Sequence, residues 1–409
     1  MTDFSNNWRL RSSQTALPYL LERLDRFGIT RVANITGLDF TGIPVFTAFR
    51  PRALTLSVSC GKGITTSDSI VSAIMESIET DTAESLSAEN YFHTSYTQLP
   101  RDESLDVQLL PVLSSSIFRK DIPYSWIKCS SLLSNQHVFL PAATITLDVT
   151  SVIDPLMTFV WGSNGLASGF SLKEAIVSAL YEYIERDSII CWSNLLIHGL
   201  VKDAFIDLST IPFSSTQSLV TTLQVAGYKL FVYDRSSSLN IPVYRAVLYS
   251  PYDQTARIAE GYGCHHLDEI AVNRAITEAV QSRTVMIAGA RDDISFANLH
   301  DYMQRDLPEK YLSETIIENF SPLKNTFVSL DSALEDLTQR LTNIGVPDLY
   351  YYSFPVSDPE IFVVRIFIPG LQHYSHRHSV TVTRVTPFIP RLGGLRSALY
   401  SLRSQTSLS

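Results

Sequence analysis

Cysteine is scarce in this chain. Four residues, Cys60, Cys129, Cys191 and Cys264, are spread over 409 positions and none forms a CxxC pair. A disulfide framework and a thiolate metal knuckle are therefore not expected, whereas buried free thiols are. Clustered positive charge is missing too. The 32 basic residues are outnumbered by 41 acidic ones, for a net charge of −9. That excludes the basic stripe which nucleic-acid phosphates require, but leaves room for a local basic pocket. No apolar run approaches the ~20 residues of a membrane-spanning helix. Even the most apolar stretch, 154–167, is broken by Pro155, Gly162, Asn164 and Gly165. The polar opening Met1–Thr15 lacks the apolar segment of a secretion signal. A cytoplasmic protein with neither nucleic-acid nor membrane partners is expected. The patterns GxxxxGK[ST], GxGxxG and GxSxG are also absent. Any nucleotide site is thus neither a P-loop nor a dinucleotide fold, and there is no nucleophile elbow.

What is present is an ordinary globular composition, 45% apolar and 18% charged, too apolar for disorder. Runs rich in β-branched and aromatic residues at 53–59, 137–140, 229–233, 243–248 and 361–367 read as strands. The polar stretches 85–104, 214–218 and 236–240 read as loops. Three longer segments, 67–84, 172–192 and 268–288, carry apolar residues at helical spacing. No linker divides the chain. It is read as a single α+β domain, 1–409, with a core at about 28–390 and a flexible tail from 391 to 409.

The three helical segments repeat one another. Gly63 through Asp81 aligns without a gap on Gly169 through Asp187, with Ile-Val-Ser-Ala shared, and Arg274-Ala-Ile-Thr-Glu278-Ala-Val-Gln281-Ser-Arg283 follows in the same register. The spacing exceeds that of solenoid units, which points to an internally duplicated fold. Acids are duplicated with it. Glu76 and Glu79 lie three apart and share a helix face, as do Glu182 and Glu185. On a single helix such a pair is ordinarily a solvated face. Repeated, and interleaved with Ile74, Ile78, Leu180 and Ile184, the pairs fall near a core edge, where four carboxylates stay ionised only beside cations. Hard oxygen ligands select Mg2+, which commonly arrives with nucleotide phosphates attached. The Gly- and Ser-rich segments 57–63 and 162–169 precede the first two helices and read either as plain turns or as phosphate-binding backbone.

Three ordered motifs carry a family resemblance. The first is Gly61-Lys62-Gly63 with Ser72-x-x-x-Glu76-x-x-Glu79. The second is Ser163-Asn164-Gly165-Leu166-Ala167-x-Gly169 with Glu182-x-x-Glu185-Arg186, and the third is Gly261-x-Gly263-Cys264-His265 with Thr277-Glu278-x-x-Gln281-x-Arg283. With Gly28-Ile29-Thr30-Arg31, Gly37-Leu38-Asp39 and Pro369-Gly370-Leu371 added, most of the chain resembles the YcaO superfamily. The resemblance implies a YcaO-type fold, with mixed sheets around three long helices. It also implies an ATP site in which Glu76, Glu79, Glu182 and Glu185 are the Mg2+ ligands. Lys62, Ser72, Arg186, Gln281 and Arg283 are implied to line the nucleotide pocket, and Ser163 and Asn164 to contact phosphate or ribose. Glu278 and Arg186 are the implied catalytic residues. The implied reaction activates a backbone amide of a ribosomally made peptide or protein. A nucleophile adds to the carbonyl carbon, the resulting oxygen is phosphorylated, and phosphate leaves. A sulfide source gives a thioamide, and a Cys, Ser or Thr side chain gives an azoline.

Two features favour one branch of the superfamily. The tail, Ser404–Ser409, has no Pro-x-Pro-x-Pro ending of the azoline-forming kind, and no leader-binding domain is expected ahead of the motifs. The chain therefore resembles the branch that works with a TfuA partner, to which thioamidation is attributed. Azoline formation, an ATP-dependent amide ligase and a non-catalytic nucleotide-binding scaffold are the other readings. A TfuA-like or leader-peptide-binding partner protein is expected, and a homodimer is compatible. Residues 400–409, Ser-rich and free of proline, are expected to lie away from the cleft. Cys264-His265-His266 reads as loop structure, since sequence neighbours do not all chelate one ion.

Overall fold

The computed structural model describes residues 9–113, 116–148, 153–251, 257–290, 316–325 and 329–372, so the tail at 391–409 lies outside the described residues. Helix α1 (Ser13–Leu21) precedes an antiparallel sheet of β1 (Arg31–Asn34), β2 (Val45–Phe49) and β3 (Val58–Lys62), which hands over to α2 (Thr66–Glu84). Next come β4 (Phe92–Ser95), β5 (Pro123–Ser131), β6 (His137–Pro141) and the short α3 (Ala142–Ile145), and then β7 (Leu166–Gly169), which runs into α4 (Leu172–Ile197). A third part holds β8 (Ala204–Asp207), α5 (Ser214–Val225), an antiparallel sheet of β9 (Lys229–Asp234), β10 (Val243–Tyr249) and β11 (Ile258–Cys264), and then α6 (Asp268–Ala288). Strand β12 (Ile316–Asn319) pairs in parallel with β8. Helix α7 (Leu330–Asn343) leads to β13 (Tyr350–Ser353) and β14 (Phe362–Phe367), which complete a six-stranded sheet in the order β4-β5-β13-β14-β7, with β6 on β5.

The duplication inferred from sequence is a duplication of shape. The first residues of the three long helices, Thr66, Leu172 and Asp268, are equivalent positions of the aligned repeats. Each helix follows a strand that lies against its backbone. A Cβ placed on Gly61 would fall 2.0 Å from the Ser69 carbonyl, and one on the equivalent Gly263 would fall 2.0 Å from the Ala271 carbonyl. Likewise a Cβ on Gly63 would press on Asp68 and one on Gly169 on Glu174. These glycines therefore serve close strand-to-helix packing. The phosphate-turn reading of 57–63 gives way accordingly. Val58–Lys62 is strand, and at the start of α2 a capping box satisfies the Asp68 amide with the Thr65 hydroxyl and the Thr65 amide with the Asp68 carboxylate.

Each long helix buries the equivalent apolar face, but against a different core. Ala73, Ile74 and Ile78 of α2 pack with Tyr124, Trp126 and Ile127. Ile176, Leu180 and Tyr183 of α4 pack with Val364, Ile366 and the α7 residues Leu337 and Leu341. Val272, Ala275 and Ile276 of α6 pack with Leu230, Val232 and Tyr244. Burying side chains of this size stabilises by about 1.5–3 kcal/mol each, enough to fix how the helices face one another. Three expectations shift, the first being the stretch 85–104, read as loop, which holds β4 (Phe92–Ser95). The serines at 214–218 open α5, because Leu219, Val220 and Leu223 behind them supply a buried helical face. Strand β3 starts only at Val58, after a turn in which the Arg50 amide donates to the Ser57 carbonyl. All four cysteines are buried and none is in a disulfide. Among the described residues no helix is long and apolar enough to cross a membrane.

Candidate functional site

The polar faces of α2, α4 and α6 converge on one cleft of about 2100 Å³. It is lined by the same positions of each repeat: Ser72, Ser178 and Arg274; Glu76, Glu182 and Glu278; Glu79, Glu185 and Gln281. Side chains three or four apart on a helix share a face, so three equivalent helices aimed inward present three equivalent pairs. Of the site residues expected from sequence, Lys62, Ser72, Glu76, Glu79, Ser163, Asn164, Glu182, Glu185, Arg186, Glu278 and Gln281 all line this cleft.

Arg283 does not. It is buried, with Nε and one NH2 group donating to the Asp39 carboxylate at 3.0 and 3.3 Å, and it lies over the Tyr228 ring at 5.2 Å. The Tyr228 hydroxyl donates to the same carboxylate at 2.5 Å. Two residues beyond Gln281, its side chain is turned about 200° round the helix, into the core and away from the cleft.

The carboxylates crowd one another. Glu79 accepts from the amide and the hydroxyl of Ser168 at 2.8 and 2.6 Å. Burial nonetheless pushes its carboxyl up to about 8, Ser168 opposing and the charges of Glu182 and Glu76 adding to the rise. Burial raises Glu182 to about 7, with Arg186 and Arg365 opposing and Glu185 adding. The cations respond in kind. Lys62 is paired with Glu278, and burial draws it down to about 8, with Glu185 and Glu76 opposing and Arg274 and Arg186 adding to the fall. The Tyr262 amide also donates to Glu278, at 3.3 Å. The Gln281 amide group donates to the Cys60 carbonyl and ties α6 to β3. Ser163 stands exposed at the lip, and both polar side-chain atoms of Asn164 lack a hydrogen-bond partner.

Several lining residues escaped the sequence reading. Arg274 occupies the place of Ser72 and Ser178, a swap that the repeat alignment contains; burial and the neighbouring Arg9 push its guanidinium down. Arg9, which donates to Glu174 and Ser178 at 3.2 Å each, gave no local signal. Ser168, the partner of Glu79, was the variable position of the second motif.

His265 and His266 are buried, and His265 lines the cleft. The Leu267 amide donates to His265 at 3.0 Å, and His266 bridges the Tyr181 hydroxyl at 2.5 Å and Asp336 at 2.9 Å. Among the described residues no three His, Cys, Asp or Glu side chains stand close enough to hold a metal by themselves. The acids thus face one cleft without closing a cage. An open set suits Mg2+, which keeps several waters and takes one or two carboxylates beside substrate phosphates.

The model of the family described as YcaO cyclodehydratase, ATP- and Mg2+-binding, matches residues 60–372. The chain belongs to the YcaO family. This YcaO chain is 31% identical over 363 residues to a Rhizobium leguminosarum bv. trifolii protein from the tfuA 3′ region, covering 85% of this chain and 84% of the relative. Two solved structures share its fold. One is YcaO from Methanopyrus kandleri bound with AMPPCP and Mg2+, with TM-score 0.72 and 20% identity over 96% of this chain and 100% of that one. The other is a heterocyclase in complex with substrate and cofactor, with TM-score 0.74 and 18% identity over 91% of this chain and 54% of that one. The YcaO family is ATP- and Mg2+-binding, and its chemistry is ATP-dependent modification of peptides.

Proposed function

We propose that this YcaO protein activates a backbone amide of a ribosomally made peptide or protein with ATP and Mg2+, and that with a TfuA-like partner it replaces the amide oxygen by sulfur. The observation that carries the reading is the convergence of Glu76, Glu79, Glu182 and Glu185 on one cleft with Lys62, Arg186 and Arg274. Two of these carboxyls are held above their ordinary range by burial and by one another, so the set gains most from a divalent cation. The four glutamates would hold Mg2+. Lys62, Ser72, Arg186 and Gln281, with Ser163 and Asn164 at the lip, would hold the nucleotide. ATP, when bound, supplies the phosphoryl group that turns the amide oxygen into a leaving group.

The residues around that event have distinct tasks. Arg186, one residue beyond Glu185 on α4, stabilises the charge that spreads over the transferring group. Glu278, tethered by Lys62 and the Tyr262 amide, is the carboxylate placed to take the proton that the nucleophile gives up on addition. In balance, hydrogen sulfide forms the new C–S bond and the oxygen departs on phosphate, with ADP as the second product. The tfuA-region relative supports the thioamide branch. The family's description as a cyclodehydratase makes azoline formation the second reading.

The test combines the full chain, a TfuA-like partner, sulfide, ATP and Mg2+ with a peptide encoded beside the gene. ADP released only when peptide is present, with the product heavier by the exchange of oxygen for sulfur, is the expected result. Loss of one water from the peptide would move the assignment to azoline formation. Peptide-independent ATP consumption with unchanged peptide mass would overturn amide activation.

A further inference from the structure

Strand β14 carries a charge into the interior. Arg365 is 3% exposed and sits opposite Leu166 of β7 in the strand register. Its Nε donates to the Thr144 carbonyl at 2.9 Å, one NH2 group donates to the Gly162 carbonyl, and the other has no partner. Burying an ion costs several kcal/mol unless hydrogen bonds and an opposite charge offset it. Here two carbonyls and the nearby Glu182 carboxylate do so, and burial still draws Arg365 down to about 10.

What Arg365 holds is the arm at 162–165, which bears Ser163 and Asn164. The far end of the arm is clamped by backbone. The Ile366 amide donates to the Gly165 carbonyl at 2.9 Å, and the Leu166 amide donates to the Ser163 carbonyl at 2.9 Å. Gly165, at φ +76°, leaves no room for a Cβ, which would come within 2.8 Å of the Ile366 carbonyl. The near end is different: chain neighbours aside, no atom of the described residues lies within 4 Å of where a Gly162 Cβ would stand. The Arg365 guanidinium ties Gly162 to the sheet, two residues past the backbone bond from the Val160 amide to the Pro111 carbonyl.

We propose that Arg365 is a positioning residue, which fixes the Ser163–Asn164 arm over the cleft so that the nucleotide meets it already ordered. What the arm meets rests on the ATP reading above; the anchoring does not. Preorganisation of this kind improves binding by removing an ordering cost.

Two measurements test it on the full chain. In the ligand-free protein, amide exchange in the segment 160–168 is expected to be about tenfold faster in Arg365→Met than in the wild type, with exchange in α6 unchanged. In calorimetry with a non-hydrolysable ATP analogue and Mg2+, Arg365→Met and Asn164→Ala are each expected to weaken binding about tenfold. The double variant should be no weaker than the weaker single one, because both remove the same contact. Arg365→Lys, which keeps the charge and can reach one carbonyl, should recover part of both losses. Unchanged exchange in the segment, or losses that simply add, would overturn the proposal. If Arg365→Met does not fold, the lysine variant carries the same comparison. If neither folds, the residue is a packing determinant and the proposal fails. A wild type that binds no nucleotide would sink the ATP reading, and the exchange result would still decide the anchoring.

Discussion

Glu79 shows what a buried carboxylate at this site costs in stability. Its carboxyl titrates near 8 in the fold against 4.5 ordinarily. A raised folded value means that the protonated form is favoured on folding, so this contribution is fully present below about 4.5 and is lost as pH rises through 8. In Glu79→Gln the amide cannot ionise, while its oxygen can still accept from Ser168. Melting curves of the ligand-free proteins should therefore nearly coincide at pH 5, and the variant should melt a few degrees higher at pH 8.5. Parallel pH profiles would contradict the assignment. If these carboxylates hold Mg2+ as proposed, the ion competes with their protons, and its affinity with nucleotide should rise between pH 6 and 8. The second pair makes a different prediction. Glu185→Gln and Arg186→Ala remove site chemistry with little packing, so each should keep the wild-type melting behaviour and lose ATP turnover by a hundredfold or more. Full activity in either variant would remove the second motif from the site. Arg283 lies outside this set, although its motif includes it. A sequence spacing counts residues, whereas the helix turns each by about 100°, and only the packing with Asp39 and Tyr228 shows that Arg283 points inward.

At the scale of elements, the glycines of β3 and β11 set the distance between strand and helix. Gly61→Ala and Gly263→Ala each force a Cβ to 2.0 Å from a helix carbonyl. Each should cost at least the upper end of the about 1–3 kcal/mol typical of overpacking, read as a lowered denaturant midpoint. Gly37→Ala, whose added Cβ meets nothing within 4 Å, is the control and should be close to neutral. Loss of stability in the control and none in the other two would refute the packing role. These elements were legible to different degrees. α6 begins and ends where its apolar periodicity does, and β9, β10 and β14 follow their β-branched runs to within a residue or two. The serines that open α5 read as loop because serine is common in both caps and turns. Gly61 of β3 and the adjoining Gly63 read as a turn because a glycine needed for close approach and one needed for a bend are the same letter.

Across the whole molecule, one repeated strand-to-helix unit packs against three large cores and lines one shared cleft. The repeat alignment foretold that convergence, because equivalent helices packed through equivalent faces leave equivalent polar faces. It did not foretell which residues from outside the repeats would line the cleft, as Arg9 does, or brace it from the interior, as Arg365 does. Arg9 lies before the first repeat and Arg365 after the third, and each reaches its place through tertiary packing that no local pattern encodes. The central claim is that the shared cleft is a Mg2+-dependent nucleotide site built by the duplicated acids. Its most direct test is calorimetric titration of the full chain with a non-hydrolysable ATP analogue, with and without Mg2+, in the wild type and in Glu185→Gln. The account predicts one nucleotide bound per chain, a strict need for Mg2+, and affinity at least tenfold lower in the folded variant. Binding that is indifferent to Mg2+, or equally tight in Glu185→Gln, would contradict it.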